Sequence, residues 1–162
     1  MNIQNSQPRN YSDLGRELGT MLVARGLTVS CAESLTGGTI ASMIAQIAGS
    51  SAYFKGSVTS YAVSVKEQVL GVDVSEGVVS ESTARQMAEG VARVMQSDCA
   101  VATTGIAGPG GAEPGKPVGT VCIAALTPAG VESHTYHFEG DREAVILQSA
   151  DAALSLLIEK MR

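Results

Sequence analysis

The chain has 162 residues, 44% of them hydrophobic and 4% aromatic, with 18 Gly and a net charge of −5. That length suits one domain with a full hydrophobic core. The acidic balance excludes a broad nucleic-acid footprint, which needs a basic surface, but leaves room for a local cationic pocket holding one small anion.

No leader-like charged and apolar regions open the chain, and no apolar run approaches the roughly 18 residues of a membrane span. Cys31, Cys99 and Cys122 are widely spaced, each within an apolar run. They read as reduced, buried thiols of a cytoplasmic protein. Residues 1–10, MNIQNSQPRN, predict a loose polar tail ahead of a single domain over 11–162.

Ser12 is placed to cap a helix over 12–25, with Leu14, Leu18, Met21 and Leu22 at helical spacing and Gly26 as the stop. A strand over 28–31 follows and runs into AESLTGG, 32–38. A helix over 37–48 comes next, with Ile40, Met43, Ile44 and Ile47 on one face. The 53–61 stretch, YFKGSVTSY, predicts a second strand whose Gly56 signals a bulge or close approach. A short helix over 63–70 stops at Gly71, and Ser80 caps another over 81–96 with Ala84, Met87, Ala88, Val91 and Met95 inward. CAVAT, 99–103, reads as a central parallel strand.

Six glycines and three prolines fall within 104–119, between two core strands, which marks a shaped functional loop. A strand over 120–126 and its hairpin partner over 131–138 precede a final helix capped by Asp141, with Val145, Ser149, Ala152, Ala153 and Leu156 inward. This order predicts an α/β fold, a three-layer α/β/α sandwich on a mixed, mostly parallel sheet of about five strands. Ligands gather at the carboxyl ends of parallel strands. The loops 33–38 and 104–119 are therefore expected side by side.

The chemistry on offer is restricted. His134 and His137 lie three apart on a predicted strand and point to opposite faces, so they cannot share a metal. Hydroxyls and lysines remain. A Ser/Lys pair performs acyl transfer without histidine when burial holds the amine neutral. Spacing alone places Lys66 as a solvated helix charge beside Glu67, and Arg142 as a surface arginine. The alternatives are a catalytic base and an anion ligand at a helix start. Likewise 32–38 is either an ordinary loop, with Ser34 or Thr36 as helix N-cap, or a site. Cys31 is a nucleophile only if it escapes burial.

Taken together, AESLTGG (32–38), IAGSSAYFKGSVTSY (47–61), Lys66 with VLGV (69–72), TGIAGPGG (104–111), KPVGTV (116–121) and EGDRE (139–143) resemble the CinA C-terminal family, the nicotinamide mononucleotide amidohydrolase group. The resemblance covers nearly the whole chain, in its stand-alone form; Leu35 stands where relatives often carry Cys. It implies hydrolysis of the substrate's carboxamide to nicotinate mononucleotide and ammonia, with no metal and no cofactor. The family's functional positions fall on Ser34, Ser51, Tyr61, Lys66, Thr104 and Arg142. Tyr61 would orient Lys66 or relay a proton, and Thr104 and Arg142 would suit the 5′-phosphate. Thr36, together with the backbone at Gly37–Gly38 or at Gly105–Gly108, would contact the substrate, and those N–H groups could stabilise an oxyanion. The residues leave two serines open as the attacking group: Ser34 on a strand-to-helix turn, and Ser51, nearer Lys66 in sequence. The resemblance puts Ser51 first, with Ser34 polarising the amide. The competing readings are a Ser/Lys amidase for another small amide or nucleotide, and a non-catalytic nucleotide-binding module. A homodimer is left open; no nucleic acid and no membrane are expected as partners.

Overall fold

The structure is a computed structural model that describes residues 11–162, with side chains from Asp13 onward. The polar tail over 1–10 lies outside the described residues, while Ser12 is not the expected N-cap, because the helix has already begun at Tyr11. The elements are α1 (Tyr11–Arg25), β1 (Val29–Glu33), α2 (Thr39–Ala45), a 3-10 turn (Ser50–Ala52), β2 (Phe54–Thr59), α3 (Val63–Gln68), α4 (Glu81–Met95), β3 (Cys99–Gly105), β4 (Thr120–Thr127), β5 (Gly130–His137) and α5 (Arg142–Met161). No helix among the described residues is long and apolar enough to cross a membrane.

The sheet has five strands in the order β2-β1-β3-β4-β5. β1 pairs in parallel with β2 and β3, while β4 runs antiparallel to both β3 and β5. The mixed sheet and its helical cover match the sequence expectation. Crossover connections between parallel strands are right-handed. β2 lies on one side of β1 and β3 on the other, so the two crossovers place their helices on opposite faces. One face packs Leu18 and Leu22 of α1, Ile40 and Ile44 of α2, and Leu154 and Leu157 of α5 into one core. The other packs Met87 and Val91 of α4 with Leu70 and Val72. β1, β3 and β4 are buried along nearly their whole length, which is why β3 reads as a continuous apolar run, whereas β1 buries the polar Ser30 and Glu33 as well.

Several boundaries differ from the sequence reading for local reasons. Helix α2 starts at Thr39 rather than 37 because Gly37 and Gly38 adopt left-handed φ values of 57° and 111°. Neither Ser34 nor Thr36 caps it. The Glu33 carboxylate, fully buried, accepts from the N–H groups of Gly38 (3.2 Å), Ile40 (2.9 Å) and Ala41 (2.9 Å). It thereby satisfies the helix's orphan donors from the end of the strand that precedes it. The expected bulge in β2 is present: Val29 pairs with Phe54 but Ser30 with Gly56, so Lys55 is the extra residue. Ser80 and Asp141 cap α4 and α5 as read, accepting from Thr83 N–H and Ala144 N–H.

Gly19 of α1 sits against Tyr53, and a Cβ there would lie 2.4 Å from the Tyr53 hydroxyl. Tyr53 is 4% exposed and its hydroxyl has no hydrogen-bond partner among the described residues. Gly19→Ala is expected to destabilise the fold by about 1–3 kcal/mol through overpacking. Adding Tyr53→Phe should recover part of that loss, read as the denaturant midpoints of the two variants.

Candidate active site

β1 has its neighbours' crossovers leaving in opposite directions, so its carboxyl end opens a crevice at the topological switch point. A cavity of about 360 Å³ occupies this position. Its walls come from the loops after β1, β2 and β3 and from the first turn of α5. The loops 33–38 and 104–119 are brought together as the strand order requires.

Lys66 forms the floor. Although the sequence offered a solvated charge, the residue is 1% exposed. Its Nζ lies 2.9 Å from Ser34 Oγ, 2.5 Å from the Ser60 carbonyl oxygen and 3.4 Å from the Tyr61 carbonyl oxygen. No carboxylate forms an ion pair with Nζ among the described residues. Burial without a counter-charge lowers the lysine pKa from its ordinary 10.5, because desolvation penalises the ammonium. In the neutral amine, the two N–H groups can donate to the two carbonyls. The lone pair is then left for the Ser34 hydroxyl proton. The arrangement is that of a nucleophile activated by an adjacent base.

The sequence places these groups through simple constraints. Glu33 anchors the turn that carries Ser34, and Ser60 N–H donates to the Glu33 carbonyl at 2.7 Å, continuing the β1–β2 pairing one step past the strands. The chain then turns into α3, whose first turn delivers Lys66 back beneath Ser34.

Arg142 forms the rim. Its two terminal nitrogens donate to the Gly108 carbonyl and to the Tyr61 hydroxyl, both at 2.8 Å. Three of its five N–H donors remain for a ligand anion. Tyr61 lines the cavity, but its phenol engages Arg142; only its backbone carbonyl reaches Lys66. Thr104 also lines the cavity, with its hydroxyl donating to the Val78 carbonyl at 2.8 Å, so it ties β3 to the neighbouring loop. Gly105 and Gly108 line the wall. At Gly108 φ is +84° and a Cβ would stand 2.4 Å from a Val118 methyl, so only glycine fits there.

Other expected residues stand elsewhere. Ser51 is exposed, in the 3-10 turn before β2, and β2 runs parallel to β1. It therefore sits at the amino ends of the strands, about 20 Å, one strand length, from the cavity. Nearness to Lys66 in sequence does not become nearness in space, because the intervening strand carries the chain across the sheet. Thr36 is buried, its hydroxyl paired at 2.9 Å with that of Thr103. The Gly37 and Gly38 N–H groups donate to the Ser34 carbonyl and the Glu33 carboxylate, so neither is free for an oxyanion. Both glycines line a separate shallow groove beside α2 and Leu147. Burial, reinforced by Glu33, pushes the Cys31 thiol well above its ordinary range, which makes it an inert core residue. His134 pairs with Glu132 on β5, away from the site. No group of three His, Cys, Asp or Glu among the described residues could hold a metal ion.

The CinA C-terminal domain family is matched over residues 12–161. The chain belongs to this family. Among its relatives, a CinA-like protein of Fervidobacterium nodosum is 44% identical over 141 residues, covering 85% of this chain and 35% of that protein. A CinA-like protein of Flavobacterium psychrophilum is 43% identical over 148 residues, 89% of this chain and 35% of its own. The chain thus spans about a third of the length of the curated relatives it matches. Among solved structures, the competence/damage inducible protein CihA from Agrobacterium tumefaciens superposes with a TM-score of 0.91 at 38% identity, over 96% of this chain and 98% of that one. A CinA superfamily protein from Klebsiella pneumoniae gives 0.90 at 33% identity, over 94% and 98%.

Among the groups at this cavity that the sequence did not single out are the Ser60 carbonyl and Glu113. The Ser60 carbonyl, as a backbone group, leaves no residue-type signal at all. Glu113 also lines the cavity, and its one sequence cue is the Pro114-Gly115 turn that follows it.

Proposed function

We propose that this CinA domain is a Ser/Lys amidohydrolase that converts nicotinamide mononucleotide to nicotinate mononucleotide and ammonia. The observation that carries the reading is the 2.9 Å contact between Ser34 Oγ and the Nζ of a fully buried, unpaired lysine. In this mechanism Ser34 Oγ bonds to the amide carbon while its proton passes to neutral Lys66 Nζ. The tetrahedral intermediate collapses with cleavage of the C–N bond, and Nζ returns the proton to the leaving nitrogen, releasing ammonia. Water then gives a proton to Nζ and its oxygen to the acyl carbon. Ser34 Oγ leaves and recovers the proton, completing the cycle. Ser34 rather than Ser51 is the attacking group in this reading, since Ser34 alone of the two lies against the base.

Arg142 supplies the anion contact. Arg142 lines the cavity, and α5 begins at this residue, so the helix N-terminus favours negative charge in the same place. Arg142→Ala is expected to raise KM about tenfold, the loss of one charge-assisted hydrogen bond. Nicotinamide riboside, which lacks the phosphate, should be much less sensitive to that change. The primary test is ammonia release from nicotinamide mononucleotide by the purified chain. Product appearing from another small amide but not from this one would move the substrate and keep the chemistry; no release from any amide would remove the enzyme reading.

A further inference from the structure

We propose that Glu113 determines specificity by selecting ligands whose amide-bearing ring carries a permanent positive charge. The inference rests on the amidohydrolase reading for its choice of ligand and extends it to a residue that no motif marks.

Three charged residues line the cavity: Lys66, Arg142 and Glu113. Lys66 is buried and its Nζ is engaged by Ser34 and by the Ser60 and Tyr61 carbonyls, so Arg142 and Glu113 are the charged residues left to meet a ligand. Glu113 and Arg142 form no ion pair with each other, nor does Glu113 pair with Lys66, among the described residues. Arg142 is already held by Gly108 and Tyr61. A ligand spanning the cavity therefore meets opposite charges at separate places, and a zwitterion satisfies both.

The main chain that carries Glu113 is fixed by a tight turn. Glu113 and Lys116 exchange backbone hydrogen bonds, with Glu113 N–H to the Lys116 carbonyl at 2.9 Å and the reverse at 2.8 Å. Pro114 and Gly115 (φ +74°) occupy the two middle positions of this tight turn. Pro fixes φ at the first and Gly accepts the positive φ at the second, the requirements of a type II turn. Lys116 would be the obvious partner for Glu113, but its ammonium extends over Gly77, where an added Cβ would lie 3.0 Å from Nζ. The turn thus fixes the backbone of Glu113 at the cavity, and among the described residues no cation forms an ion pair with its carboxylate. A carboxylate in that position attracts a cationic ring and gains nothing from a neutral one.

The experiment compares nicotinamide mononucleotide with its 1,4-dihydro form, which keeps the carboxamide, ribose and phosphate but has an uncharged ring. Binding is measured by calorimetry at low salt on Ser34→Ala protein, with and without Glu113→Gln, and ammonia release is measured on the corresponding Ser34 proteins. Glu113 is exposed, so screening limits the effect: Glu113→Gln should weaken the cationic ligand roughly three- to fivefold and leave the neutral one unchanged. Glu113→Lys should weaken the cationic ligand by at least about tenfold, because repulsion replaces attraction. Equal weakening of both ligands would show a contact to ribose or phosphate and overturn the inference, as would no weakening of either. If no ammonia is released while the Glu113-dependent preference persists in binding, the hydrolase reading fails and the charge selection stands.

Discussion

Ser34→Ala is expected to lower kcat for ammonia release from nicotinamide mononucleotide by at least about 10³-fold, the usual consequence of deleting a nucleophile. Ser51→Ala should leave it within about twofold. The asymmetry follows from the sheet. Ser34 follows β1 at its carboxyl end, 2.9 Å from Lys66 Nζ, whereas Ser51 precedes β2 at the amino end. Both variants should fold, since Ser51 is exposed and Ser34 gives up only one hydroxyl contact. The decisive measurement is the pair of turnover numbers under saturating substrate. Loss on Ser51→Ala with activity kept on Ser34→Ala would reverse the assignment and require a second chain to bring Ser51 to a lysine.

Lys66→Ala should reduce kcat by about 10²–10⁴-fold, the range for removing a general base. Lys66→Arg should be no better, because a guanidinium stays protonated and cannot accept the Ser34 proton. In the parent protein the rate should rise with pH as the amine loses its proton, with an apparent pKa below 10.5, in the direction that burial imposes. Stability carries the same signature. The folded-state pKa lies below the unfolded value, so between the two the unfolded chain binds more protons and stability rises with pH. Below the folded value the lysine is charged in both states and the burial penalty is greatest; above 10.5 it is neutral in both and the penalty is gone. Urea melts taken across this window should show that rise in the parent and lack its Lys66 contribution in Lys66→Met. A melt whose slope is unchanged by Lys66→Met would mean that the amine keeps its ordinary titration.

The order of elements was readable because each carries local signals. Alternating helix caps, apolar runs and turn glycines are short-range features, and Ser80, Asp141 and the Gly56 bulge all act as the residues predict. The continuous apolar run of β3 marked it as a central strand, and the order of helices and strands pointed to the layered α/β/α arrangement. Even the meeting of the 33–38 and 104–119 loops followed, because parallel strands emerge at the same end of a sheet.

What the sequence could not decide was which polar groups are free and which are already engaged. Lys66 reads by its spacing as a solvated charge, and only packing beneath Ser34, with carbonyls around it and no ion pair to a carboxylate among the described residues, gives it the surroundings that the proposed base requires. Gly37 and Gly38 looked like oxyanion donors until Glu33 took up the turn that carries them. The Tyr61 phenol turned to Arg142 rather than to the lysine. Ser51, close to Lys66 along the chain, is carried to the other end of the sheet by β2. Periodicity and turn chemistry act over a few residues, so the sequence by itself fixes elements and their order. A site is made by groups from distant segments competing for the same hydrogen bonds in a dry crevice, and that competition exists only once the strands are side by side.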